Sequence, residues 1–206
     1  LRFFAAILSM IFPAVYVAVA TWHTSLLPTK LVLSMAEARQ GVPFPALGEI
    51  LLMEISFELL KEAGIRLPGP MGNTIGIVGG LIIGQAAVDA SLVSPIVVIV
   101  VAFTALCSFA IPNEEFASAF RILKYGCIFM GAWLGLYGVA LSGLWVLIHL
   151  SHLNSFGIPY LMPYVAADVN GYEDKKDSLF RFPLKYCVRR PIFARRGERI
   201  KLRKRD

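Results

Sequence analysis

The sequence predicts an all-α protein, a polytopic transmembrane helical bundle with one amphipathic or re-entrant helix, on three observations. Apolar residues make up 57% of the 206 and charged residues only 17%, with a mean hydropathy of +0.67. A soluble domain carries roughly a quarter of charged residues. Long stretches are free of charge altogether, and within them small residues recur at helical spacing.

The first stretch, Phe3 to Trp22, is 20 residues without a charge, and a bilayer core of about 30 Å needs roughly 20 apolar residues per helical crossing. Arg2 precedes it as in a secretory signal, but the stretch exceeds the ~7–15 apolar residues of a signal peptide. It is read as a true span, in a chain expected to continue upstream. Ala46 to Gly64 (ALGEILLMEISFELLKEAG) follows, bracketed by Pro43, Pro45, Pro68 and Pro70. Prolines lack an N–H and suit helix edges, so a single compact helix with a charged stripe is expected. Asn73 to Val88 is a shorter, glycine-rich span. Leu92 to Ile111 is a further charge-free run, its helix opened by Ser94-Pro95 and closed by Pro112-Asn113 into a loop carrying Glu114, Glu115, Arg121 and Lys124. Gly126 to Leu150 is long enough to cross with tilt. Ser155 to Tyr164 (SFGIPYLMPY) reads as the exit from the bilayer, where tyrosines anchor. The expected organisation is thus a membrane domain over 1–164, with spans at about 3–22, 73–88, 92–111 and 126–150 and the amphipathic helix at 46–64, then a basic tail over 165–206.

Charge sets the orientation. Residues 1–168 hold seven Lys/Arg against nine Asp/Glu, and residues 169–206 hold thirteen against five. Cytoplasmic flanks are enriched in Lys and Arg, so the C-terminus is expected in the cytoplasm, with membrane lipid rather than nucleic acid as the partner of the tail. Four spans, with 46–64 not crossing, put both ends on that side; if 46–64 crosses, the N-terminal end lies outside.

On a helical wheel Glu54, Glu58, Lys61 and Glu62 share one arc of roughly 100°, and Glu49 falls on the apolar side. A wet amphipathic face is one reading. The other is a helix whose acids line a cation path, because carboxylates at membrane depth face a cavity or a partner and acidic rings select cations. Gln85 and Asp89 join Glu54, Glu58 and Glu62 as candidates for that path. Gly72, Gly76, Gly80 and Gly84 recur every fourth residue, a spacing that lets helix backbones approach closely in lipid. Gly131, Gly135, Gly138 and Ser142 form a weaker face of the same kind. No phosphate loop, nucleophile elbow or HExxH motif is present, and His149 and His152 have no third ligand beside them, so neither catalytic, cofactor-binding nor metal-binding residues are expected. Cys107, Cys127 and Cys187 form no CxxC pair and are expected to be reduced.

The run EARQGVPFPALGEILLMEISFELLKEAGIRLPGPMGNTIGIVGGLIIGQAAVDASLVSP, Glu37 to Pro95, with FGIPYLMP further on, resembles the membrane domain of A subunits of spore germinant receptors, the GerA family of Gram-positive endospore formers. The resemblance covers nearly all of 1–164. It implies a multi-pass protein of the spore inner membrane, with a soluble N-terminal domain upstream, a transporter-like B subunit and a lipoprotein C subunit as partners, and self-assembly into a pentameric, nutrient-gated cation channel that starts germination. A non-conducting scaffold or signal relay, and a secondary transporter, are the alternatives. The channel residues do not come from the resemblance; they rest on the chemistry of the acidic and glycine faces.

Overall fold

The computed structural model describes residues 2–66, 70–111, 113–155 and 158–161. These residues are almost entirely helical: α1 (Arg2–Trp22), a 3-10 turn (Thr24–Leu26), α2 (Thr29–Ala38), α3 (Ala46–Arg66), α4 (Pro70–Asp89), α5 (Pro95–Phe109), α6 (Glu114–Leu134) and α7 (Leu136–His152). Two-residue strands, β1 (Asn154–Ser155) and β2 (Ile158–Pro159), then pair antiparallel. The expected basic tail and Cys187 lie outside the described residues, as does part of the expected exit segment 155–164.

Contacts divide the chain into two compact units, Leu1–Gly143 and Leu144–Asp206. The first is built around α1, which packs against α6, α5 and α3, while α3 also packs against α4 and α5. The small residues Ala6, Ala14 and Ala18 share the buried face of α1 with Met10 and Val17, and a face of this kind lets neighbouring helices come close. Onto it close Ile50 and Met53 of α3, Val97, Val100 and Val101 of α5, and Cys127 and Ile128 of α6, giving one continuous core. In the second unit the indole of Trp145 stacks on the imidazole of His149, with ring centroids 5.9 Å apart.

Several elements differ from the sequence expectation. Residues 114–125 are not a loop: α6 begins at Glu114. Asn113 caps it, its side-chain oxygen accepting from the Phe116 N–H at 3.4 Å and its carbonyl from the Ala117 N–H at 2.9 Å, as side chains do for the unpaired donors of a first turn. The long run 126–150 is divided at Gly135, which adopts φ +65°, a left-handed conformation open to glycine at little cost. There α6 ends and α7 starts. The run 92–111 yields a helix of only 15 residues because Pro95 starts it; at 1.5 Å per residue that is about 22 Å. Among the described residues, Phe4–Trp22 is the one helical stretch long and apolar enough to cross a membrane, with Pro95–Phe109 and Leu136–His152 as shorter apolar helices. The helix α2 was not expected at all.

Candidate functional site: an interhelical charge ladder

The acidic residues of α3 are placed by simple periodicity. Glu54, Glu58 and Glu62 are one turn apart and stack on one face. Opposite them stand Arg121 and Lys124, three apart on α6, both in the segment expected to be a loop. The Lys124 ammonium lies 2.5 Å from Glu54 Oε2 and 3.8 Å from Glu58 Oε2. The Arg121 Nε lies 2.5 Å from Glu58 Oε1, and its Nη1 3.9 Å from Glu62 Oε2. Each cation therefore has a close carboxylate and a second one a turn further along, and the order of the pairs shows that α3 and α6 run antiparallel where they meet.

The ladder is graded in burial. Glu54 is 3% exposed and Lys124 6%, whereas the side chains of Glu58 and Arg121 are 20% and 25% exposed and that of Glu62 45%. Taking a carboxylate and an ammonium out of water costs several kcal/mol each, recovered only where geometry and further hydrogen bonds are good. At the buried end Glu54 Oε1 has no hydrogen-bond partner, and Glu58 Oε1 has none beyond its ion pair with Arg121. Beside it is a cavity of about 40 Å³ bordered by Glu54, Phe57, Glu58, Leu60, Lys61, Ala105, Ser108, Phe109 and Lys124. The Lys61 ammonium stands 5.4 Å from the centre of the Phe109 ring, within the range of a cation–π attraction.

A second polar cluster, missed by the wheel, explains Glu49. Its side chain is fully buried, with Oε1 accepting from Arg39 Nε at 3.1 Å and lying 3.0 Å from Arg39 Nη2. Oε2 accepts from the Ser94 N–H at 2.8 Å, the residue that caps α5. One carboxylate thus ties the segment after α2, the first turn of α3 and the start of α5. Its position on the apolar face was the available signal, because a buried acid demands a partner.

The remaining candidates fall elsewhere. Gln85 and Asp89 hydrogen-bond to each other at 3.0 Å on the exposed end of α4, and neither belongs to the ladder. Gly80 and Gly84 are packing positions within the chain: a Cβ on Gly80 would lie 3.2 Å from the Phe57 ring of α3, and one on Gly84 3.2 Å from Val98 of α5. Gly72 and Gly76 are on α4, with surroundings outside the described residues. The weaker small-residue face also packs, since a Cβ on Gly131 would sit 2.8 Å from the carbonyl oxygen of Ala14 on α1.

These features define a helical domain that buries Glu49, Glu54 and Lys124 between its helices and turns many large apolar side chains outward. The chain belongs to the Bacillus/Clostridium GerA spore germination protein family, whose model matches residues 1–193. It is 46% identical to the spore germination protein GerLA of Bacillus cereus across 94% of this chain and 39% of that protein. It is 46% identical to spore germination protein A1 of Bacillus subtilis (90% and 38%), and 43% identical to the membrane protein YfkQ of the same species (100% and 40%). The chain thus spans about two fifths of the length of these relatives. No solved structure matches it.

Proposed function

We propose that this chain is the multi-pass membrane domain of an A subunit of a nutrient-responsive spore germination receptor, in the spore inner membrane with the C-terminus cytoplasmic. In this reading it assembles with further copies of itself, as a pentamer, and with a transporter-like B subunit and a lipoprotein C subunit, and opens a cation path when nutrient binds. One observation carries the membrane part: beside an apolar core, charged side chains are buried while many large apolar ones are exposed. Glu49, Glu54 and Lys124 are inside, while Leu81, Ile82, Ile99, Leu106, Ile122 and Trp133 are each at least 60% exposed. A soluble monomer rarely presents apolar patches beyond a few hundred Å²; in lipid such faces are solvated. The relatives support the germination role, and the ladder supports the conduction reading, because charges kept at membrane depth mark ion pathways more often than they stabilise a fold.

The ladder as it stands is neutralised, three carboxylates against Lys61, Arg121 and Lys124. In the channel reading this is the closed arrangement. The same neutrality favours a second reading, a non-conducting relay in which the ladder transmits a nutrient-driven shift from α3 to α6. Reconstitution of the full-length receptor in liposomes separates the two. The channel reading expects germinant-triggered potassium flux that falls at least about tenfold in Glu54→Gln/Glu58→Gln, a loss of ~1.4 kcal/mol or more of pathway stabilisation. Unchanged flux in that variant removes the acidic path, and absence of flux from the wild-type receptor leaves the relay.

A further inference from the structure

We propose that Glu54, Glu58 and Ser108 form a binding site for a monovalent cation, and that the Lys124 ammonium is a tethered cation occupying it. The first argument is geometric. The ammonium is held by Glu54 Oε2 and reaches Glu58 Oε2, but Glu54 Oε1, on a side chain buried to all but a few per cent, has no hydrogen-bond partner. Glu54 borders a cavity of about 40 Å³ that Glu58, Lys61 and Ser108 also line. Ser108 gives its hydroxyl hydrogen to the Ala105 carbonyl at 2.8 Å, which leaves the oxygen lone pairs free to face a cation. The cavity has room for two or three waters, at about 10–15 Å³ each by this measure, enough for a partial hydration shell.

The second argument is charge. Glu54, Glu58 and Glu62 are balanced by Lys61, Arg121 and Lys124. Removing Lys124 from Glu54 leaves one uncompensated negative charge, which one monovalent ion neutralises and a divalent ion overshoots. The set is oxygen only, suited to hard cations rather than to transition metals. The site goes beyond the proposed conduction and rests on it only for the idea that the ion travels onward.

The test is the thermal stability of the full-length protein in detergent, in potassium chloride or sodium chloride against N-methylglucamine chloride at equal ionic strength, so that screening is constant. Lys124→Ala is expected to melt higher, and saturably so, in the small cations, while wild type and Glu54→Gln/Lys124→Ala show no difference between salts. The neutral pair Glu54→Gln/Lys124→Met, expected to fold and to ignore the cation, separates loss of a site from loss of structure. The proposal is overturned if Lys124→Ala responds no more than wild type, if the response survives Glu54→Gln, or if Lys124→Ala folds in none of the salts. A cation response without flux from liposomes keeps the site and removes conduction; flux without a cation response removes the site alone.

Discussion

At Glu49 a carboxylate is taken fully out of solvent, and what it does there is decided by its partners. Arg39 supplies the compensating charge and the Ser94 N–H a hydrogen bond at the start of α5. Losing the carboxylate strands a buried backbone donor and leaves Arg39, about a quarter exposed, to find water. An orphaned buried donor costs about 1–3 kcal/mol, and more where a charge is involved. Glu49→Ala is therefore expected to destabilise the protein by at least that amount, with a lower melting temperature by circular dichroism in detergent. An unchanged melting temperature would mean that the three segments are not held by this residue. Glu49→Gln keeps an oxygen for the Ser94 N–H and is expected to lose less.

Among the elements, α6 is the most informative, because two of its glycines lie in opposite environments. A Cβ on Gly131 meets the Ala14 carbonyl at 2.8 Å, backbone that cannot step aside, whereas one on Gly126 meets nothing within 4 Å. Gly131→Ala is expected to push α1 and α6 apart at a cost of about 1–3 kcal/mol. Gly126→Ala should gain about 0.5–1 kcal/mol, since alanine loses less freedom than glycine in a helix interior. Thermal melts of the two variants check the pair, and equal shifts would exclude close packing of α1 on α6. The same helix marks where the sequence was legible and where it was not. Apolar runs and bracketing prolines located α1, α3, α4 and α5, because hydrophobic length and missing N–H groups are local properties. Gly135 sits in the unbroken apolar run GAWLGLYGVA, whose pattern is the same whether the helix continues or turns, so the division was invisible. Pro112-Asn113 signals a helix stop, but Asn followed by two glutamates is equally a helix start, with a cap and acids favoured in the first turn. The stop signal put Arg121 and Lys124 in a loop and hid the partners of the acidic stripe. The stripe itself was found from spacing, but pairing between helices 70 residues apart in sequence is a tertiary fact, and so is the use of Gly80 and Gly84 against Phe57 and Val98.

For the unit Leu1–Gly143 as a whole, the exposed apolar faces meet lipid, another protein or water, and tryptophan fluorescence distinguishes the three. Trp133 is 83% exposed near the end of α6, and Ile122 is 74% exposed three turns earlier. If these faces meet acyl chains, a tryptophan there is quenched by brominated lipid and sheltered from an aqueous quencher. A subunit interface would shelter it from both. In a protein of these 206 residues with Trp22 and Trp145 changed to Phe, Trp133 is the single reporter, and Ile122→Trp in a background also carrying Trp133→Phe supplies the second. Both are expected to lose most of their fluorescence in liposomes of brominated lipid, with acrylamide quenching at least about threefold weaker than for free tryptophan. Shelter from both quenchers at Ile122 with lipid quenching at Trp133 would assign that middle section of α6 to contact between copies, which moves the subunit interface to the back of the charge ladder. Strong acrylamide quenching at both sites would place these faces in water and remove the membrane reading, because then neither the buried ladder nor the exposed apolar side chains would have lipid as their cause.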